Sequence, residues 1–231
     1  MTTPRIAVVS AMREELHALL DDLSGARSER VAGRDFHLGT LHGRPALLVL
    51  AGIGKVAAAT TTALLLDRFE VEAVLFTGVA GGLGQGVAVG DVVIGDALLQ
   101  HDMDASPIFP RWEVPLTGRA RFAADAAWSD RLAQAAAASG HAVHRGLVVS
   151  GDRFVSTSAE SAALRALLPE ALAVEMESAA VAQVCHDFAR AFAVMRTVSD
   201  RADDAAHVDF PRFVNEVASG LTRRIVRAAF A

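Results

Sequence analysis

The stretch Leu172-Ala173-Val174-Glu175-Met176-Glu177-Ser178 decides how the chain is read. Leu172 to Val174 have the apolar character of a strand end, and two carboxylates then flank a thioether. From Ser178 to Phe188, Ala179, Ala182, Val184 and Phe188 recur at helical spacing. Glu175 and Glu177 therefore fall at a strand-to-helix junction. In α/β proteins ligand sites gather at the carboxyl ends of strands. Acids in a helix's first turn also suit the positive end of its dipole, so the junction alone does not make a site. The rest of the chain has to supply the other members.

Outward from this junction the same alternation recurs. Arg5 to Ser10 reads as a short buried strand followed by a helix over Ala11 to Leu23, which puts Glu15 just past a strand end. Asp35–Thr40 and Arg44–Leu50, parted by His42-Gly43, read as a hairpin. Gly52-Ile53-Gly54-Lys55 opens a helical segment to Arg68, and such a start can hold an anion on its free N–H groups. Ala73 to Thr77 is a buried strand that runs into Gly78-Val79-Ala80-Gly81-Gly82-Leu83-Gly84-Gln85-Gly86. A dinucleotide-binding turn would need a helix next, but Val87 to Leu99 reads as another strand. The glycines therefore suit a turn that brings backbone close to a ligand.

Further on, a proline-stiffened loop, Ala105 to Pro115, carries Ile108, Phe109 and Trp112. Helices are expected over 124–139 and 158–168, the latter capped by Ser158. Strands are expected over 142–150 and 192–199. The last delivers Ser199-Asp200 at its carboxyl end, ahead of a polar loop over 201–209. A final amphipathic helix over 210–230 carries Phe213, Val217, Leu221, Ile225 and Ala228.

Composition narrows the class. The 231 residues are 52% hydrophobic and 21% charged, a balance that supports a globular core and argues against disorder. No apolar run approaches the roughly 20 residues that cross a bilayer, and no signal segment opens the chain, so a cytoplasmic protein is expected. A net charge of −5 without a basic cluster argues against a nucleic-acid surface. The single cysteine, Cys185, excludes an internal disulfide and a cysteine-built metal site, and is expected inside a helix. His101-Asp102-Met103-Asp104 lacks a second ligand group, so a loop is expected there rather than a metal site. Without repeats or linkers, residues 1–231 are read as a single α/β domain.

Glu15, Glu177 and Asp200 thus come to the ends of three strands, beside glycine-rich segments and the aromatic Phe154. Acids that converge in an apolar-walled crevice can have their pKa values tuned apart for acid and base roles. Such a set suits hydrolysis through an oxocarbenium-like transition state. Neither a Gly-x-Ser-x-Gly elbow nor a Cys/His nucleophile competes.

Six segments then carry a resemblance over nearly the whole chain. They are Ala11-Met12-Arg13-Glu14-Glu15, Gly52-Ile53-Gly54-Lys55-Val56-Ala57-Ala58, Thr77-Gly78-Val79-Ala80-Gly81-Gly82, Val149-Ser150-Gly151-Asp152, Val174-Glu175-Met176-Glu177 and Arg196-Thr197-Val198-Ser199-Asp200. In order and spacing the chain resembles the bacterial 5′-methylthioadenosine/S-adenosylhomocysteine nucleosidases of the purine nucleoside phosphorylase-like superfamily. The Met-x-Glu-Glu at residues 12–15 favours the hydrolytic branch.

The resemblance implies a three-layer α/β/α fold around a central twisted mixed sheet. It implies that Glu15 activates the attacking water, that Asp200, supported by Ser199, protonates or hydrogen-bonds purine N7, and that Glu177 holds the ribose hydroxyls. Met12 and Met176 would line the sugar, Phe154 would stack on the base, and the Val155 backbone would read the base's edge. Arg196 would serve the water or ribose side and Phe210 the 5′ substituent, with Ile53 and Val79 also in the binding set. Val79 stands where many members have serine, so one hydroxyl contact is absent.

No metal or organic cofactor is implied. A homodimer is, with the loop Ile108–Trp112 near the neighbouring site. The loop 104–115 is expected to shape the 5′ pocket and with it the preference among methylthioadenosine, S-adenosylhomocysteine, 5′-deoxyadenosine and futalosine-type nucleosides. A futalosine-type nucleosidase, a purine nucleoside phosphorylase, and a non-catalytic nucleoside-binding protein on the same fold stand as the alternatives.

Overall fold

The computed structural model describes residues 5–214 and 219–231, with ten strands and seven helices assigned among them. Strand β1 (Arg5–Ser10) leads into helix α1 (Arg13–Leu20), and β2 (Leu23–Val31), β3 (Arg34–Leu41) and β4 (Arg44–Leu50) follow as an antiparallel meander. After α2 (Lys55–Arg68) come β5 (Val71–Gly82), β6 (Val92–Gln100), β7 (Arg121–Ala123), α3 (Ala126–Ala138) and β8 (Val143–Ser150). The rest is α4 (Ser158–Leu167), β9 (Ala171–Glu175), α5 (Ser178–Asp187), β10 (Ala191–Asp200), α6 (Ala206–Phe213) and α7 (Ser219–Phe230).

One mixed sheet results, in the order β10-β6-β8-β9-β5-β1-β4-β3-β2, with β7 beside β6. Because β10 also pairs with β5, in parallel, the strands β5, β10, β6, β8 and β9 close on themselves. The closing seam is short: β5 and β9 pair through Gly81 with Val174 and Gly82 with Ala173. This curl brings the ends of β5, β9 and β10 to one place.

Period-two alternation in β1 divides the core into its layers. Ile6 and Val8 pack with Leu16 and Leu19 of α1, Leu132 of α3 and Leu221 and Ile225 of α7. Ala7 and Val9 pack with Ala58 and Leu65 of α2 and Ala179 and Val181 of α5. Cys185 is buried in α5, where the apolar surroundings push its thiol up to about 12. Helices thus cover both faces of the sheet, as expected.

Several sequence expectations are corrected. Residues Gly78 to Gly82 do not turn: they continue β5, with Arg196 beside Gly78 and Asp200 beside Gly81 in β10. The turn comes later, where Gly86 adopts φ 83°. Val87 to Asp91 is likewise turn rather than strand, closed by the Ala88 N–H on the Asp91 carboxylate at 2.9 Å. Thr157, not Ser158, caps α4, its hydroxyl accepting from Glu160 N–H at 3.2 Å, while the Ser158 hydroxyl donates to Asp204 at 2.6 Å. The expected loop over 201–209 becomes helix from Ala206, and Val217 lies outside the described residues.

Gly95 of β6 shows how tightly the curl is packed. A Cβ there would lie 2.5 Å from the Val194 Cγ1 of β10. Gly95→Ala is expected to destabilise the protein by about 1–3 kcal/mol through overpacking, read as a lower urea midpoint with an unchanged m-value.

Candidate active site

Each acid reaches the site by a local device. The β1–α1 junction turns at Ala11 and Met12, and Glu15 reaches back from the first turn of α1. Its Oε2 accepts from the N–H groups of Ala11 (3.0 Å) and Met12 (2.9 Å), and its Oε1 accepts from Val79 N–H at 3.1 Å. The contact with the Met12 N–H is the N3-to-N-cap half of a capping box, and the Ala11 N–H just before the helix adds a second donor. Burial raises the Glu15 pKa, with the Arg196 charge and these N–H groups opposing.

At the β9–α5 junction the two glutamates divide the work. Glu175 ends β9, and its carboxylate accepts from Ser178 N–H at 2.9 Å, Ser178 Oγ at 2.8 Å and Glu177 N–H at 3.2 Å. Ser150 Oγ and the Arg196 guanidinium also donate to it. Glu175 therefore caps α5 and neutralises Arg196. Glu177 occupies the N-cap position, yet its carboxylate does not cap; it turns away to accept from Gly54 N–H at 2.9 Å. Arg196 is 3.7 Å from its other oxygen. Burial and the neighbouring Glu175 charge push the Glu177 pKa up to about 7 against the Arg196 charge.

The anion expected at the glycine-flanked start of α2 is thus the protein's own. Gly54 N–H takes Glu177, and Lys55 N–H takes Asp152 Oδ1 at 2.7 Å. Asp200 ends β10. Its Oδ2 accepts from Ser199 Oγ at 2.7 Å and its Oδ1 from Ala202 N–H at 2.8 Å. Burial raises its pKa, the Ser199 and Ala202 hydrogen bonds oppose, and the charges of Asp203 and Asp209 add to the rise.

Glycines in β5 make room for these groups. A Cβ on Gly78 would collide with the Arg196 guanidinium and lie 2.8 Å from Glu15 Oε1; one on Gly81 would lie 3.0 Å from Asp200 Oδ1. The close approach read from the sequence is real, but the protein's own site groups make it.

Glu15, Glu177 and Asp200 line one cavity of about 460 Å³, with walls from Met12, Ile53, Val79, Phe154, Met176 and Phe210. Arg196 and Ser199 also reach it. Such a volume suits a ligand of nucleoside size. Phe154 and Phe210, both lining the cavity, meet edge to face at 5.4 Å between ring centroids. Val79 packs its side chain with Phe213 and Val214, so that wall is apolar. Val155 stands slightly apart, on a small side chamber shared with Phe154, Met176 and Asp200.

Two participants escape the sequence reading. Glu175 is quoted in the motif but receives no role there, because its partner Arg196 is distant in the chain. His207 lines the cavity from α6, a segment read as polar loop. The loop at His101 to Asp104 does form. Asp102 binds Lys55, and Asp104 accepts from Ser106 N–H at 3.0 Å in an Asx-type turn. Among the described residues no group of three or more His, Cys, Asp or Glu side chains could hold a metal ion.

With this geometry in hand, comparison with known proteins places the chain. It belongs to the phosphorylase superfamily, whose family model matches residues 5–231. A 5′-methylthioadenosine/S-adenosylhomocysteine nucleosidase of Bacillus thuringiensis is 40% identical over 226 residues, 96% of this chain and 97% of the relative. The crystal structure of the nucleosidase of the same description from Neisseria meningitidis, in complex with methylthio-immucillin-A, superposes with a TM-score of 0.93. It is 39% identical, with 98% of each chain covered. A futalosine hydrolase mutant of Helicobacter pylori is also similar, at TM-score 0.91 and 28% identity over 98% of each chain. Within the superfamily, the chain falls with the 5′-methylthioadenosine/S-adenosylhomocysteine nucleosidases.

The raised Glu177 pKa has a consequence for stability. Between its ordinary value of 4.5 and about 7 the folded protein holds a proton that the unfolded chain releases. Stability therefore falls as pH rises through that window. Glu177→Gln should gain stability relative to the parent at about pH 7.5 but not at about pH 5, measured by urea unfolding. A residual slope is expected from Glu15 and Asp200, whose shifts have the same sign.

Proposed function

We propose that the protein hydrolyses the N-ribosidic bond of 5′-methylthioadenosine and S-adenosylhomocysteine, with 5′-deoxyadenosine as a further substrate, releasing adenine and the 5′-substituted ribose. The observation that carries this reading is the convergence of Glu15, Glu177 and Asp200 in one apolar-walled cavity. The similarity to nucleosidases over nearly the whole chain supports it.

In the proposed mechanism Glu15, its pKa raised by burial, takes a proton from water as the water attacks the anomeric carbon. The bond to purine N9 breaks, and Asp200 delivers or shares a proton at N7, so that adenine departs neutral. Glu177 as the anion accepts from the ribose hydroxyls and favours the positive charge that develops on the sugar. Phe154 stacks on the base, beside the Val155 backbone. Met12, Met176 and Ile53 enclose the sugar, and Phe210 and the apolar Val79 wall suit a thioether at the 5′ position. Arg196, already committed to Glu175 and Ser178, serves the water side through Glu15 and Glu177.

Phosphorolysis is disfavoured by charge. An incoming phosphate would meet Glu15 and Glu177 in a low-dielectric cavity whose guanidinium is already engaged. The same reading takes residues 1–231 as one domain in the cytoplasm; among the described residues no helix is long and apolar enough to cross a membrane.

It also takes the protein as a homodimer. In the loop Ile108–Trp112, Ile108 is 82% exposed while the Trp112 ring N–H anchors to the His101 carbonyl at 3.2 Å. Val56 and Ile53 are likewise exposed apolar side chains, and Ile53 also lines the cavity. Light scattering should return a dimer, and a stable, active monomer would remove the loop from the neighbouring site.

Purified protein is expected to release adenine from 5′-methylthioadenosine in phosphate-free buffer, with no gain on adding phosphate. Release that requires phosphate would make it a phosphorylase, and tight binding without release would make it a sensor. A panel including futalosine ranks the 5′ and base preferences. Glu15→Gln and Asp200→Asn should each lower kcat by about 10²–10⁴-fold with the fold intact by circular dichroism. Near-parental turnover in either variant would defeat its assigned role.

A further inference from the structure

We propose that Lys55 is a positioning residue for Glu177: its ammonium, clamped by Asp102 and Gln100, fixes the Gly54 N–H that holds the Glu177 carboxylate in the cavity. This rests on the nucleosidase reading above, which gives Glu177 its task at the ribose.

The geometry is a closed ring of three residues, Lys55 at the start of α2, Asp102 in the turn after β6 and Asp152 in the loop after β8. Lys55 Nζ donates to Asp102 Oδ1 at 2.7 Å, and Asp152 N–H donates to Asp102 Oδ2 at 2.9 Å. Lys55 N–H in turn donates to Asp152 Oδ1 at 2.7 Å. Lys55 Nζ also donates to Gln100 Oε1 at 3.1 Å, and Gln100 passes the contact on to Gln183 of α5 at 2.8 Å. The ring thereby ties the start of α2 to the end of β6 and to the loop that carries Phe154.

What the ring holds in place is the peptide immediately before Lys55. Gly54 adopts φ 95°, a region that glycine tolerates, so this backbone does not fix its own orientation. Its N–H is nonetheless the closest donor to the Glu177 carboxylate. A Cβ on Gly54 would lie 3.1 Å from Asp152 Oδ1, which shows how closely the ring encloses it. The Lys55 and Asp102 side chains are 16% and 35% exposed. The pair is partly buried, so removing Lys55 affects both stability and orientation, and the coupling to Glu177 isolates the orientation effect. Burial would raise the Asp102 pKa, but the Lys55 and Asp152 donors outweigh it and hold the carboxylate below its ordinary value.

The test is a double-mutant cycle between Lys55→Met and Glu177→Ala, followed by turnover of 5′-methylthioadenosine. Lys55→Met should lower kcat/KM about tenfold in the parent, as expected for a misplaced binding group. In the Glu177→Ala background, where nothing remains to position, the loss should shrink to less than about twofold. Lys55→Arg should recover most of the parent's activity, and melting temperatures should stay within a few degrees (roughly) of the parent. Equal losses in both backgrounds, or none in the parent, would overturn the proposal.

If Lys55→Met fails to fold, Asp102→Asn is read in the same cycle with the same criteria. If the parent itself releases no adenine, the nucleosidase reading falls separately. The cycle is then read on adenosine affinity by calorimetry, where additive losses still overturn the positioning role.

Discussion

The Arg196 guanidinium, with only 1% of its side chain exposed, is the constraint on which the site depends. An unpaired charge at that depth would cost several kcal/mol, so the surrounding sequence is organised to pair it. Glu175 takes the charge directly, the Ser178 hydroxyl takes two of its N–H groups, and the Phe76 ring lies 4.4 Å below. Glycine at 78 in the adjacent strand leaves room for the guanidinium. Once Glu175 is spent on this pairing, Glu177 is left undercompensated, and its carboxylate is free to face a ligand. The two glutamates of one motif acquire opposite duties because a single arginine can fully satisfy only one of them.

Much of this was legible in the sequence. Strand ends marked the positions of Glu15, Glu177 and Asp200, the first two followed by helical periodicity, since alternation and spacing are local properties. What stayed hidden depended on distant partners. Gly78 and Gly81 read as turn residues because glycine most often serves turns, yet here they clear space beside Arg196 and Asp200, more than a hundred residues on. Strand β2 has no apolar alternation, because Ser24 to Arg30 lie on a solvated edge held by β3. His207 sits in a polar run whose helix starts only after Asp203 accepts from Ala205 N–H. Glu175 could be seen but not assigned, because its meaning lies in Arg196.

The fold explains why three local devices meet. An open sheet would fan the ends of β5, β9 and β10 apart, whereas the second pairing of β10 with β5 curls them together. The two-residue seam between β5 and β9 lies at that convergence, next to Asp200. Satisfied backbone donors then hold each carboxylate before any ligand arrives, which is the preorganisation that efficient charge stabilisation needs.

Burial pushes the Glu177 carboxyl up to about 7, so near neutrality it is partly protonated, and burial shifts Glu15 and Asp200 in the same direction. Occupancy and proton count are therefore linked. A ligand that brings positive charge drives protons off these groups, and one that presents lone pairs draws protons on. The heat measured on binding would then contain the ionisation heat of whichever buffer gains or loses those protons. The site behaves, in thermodynamic terms, as an exchanger of ligand for hydrogen ions.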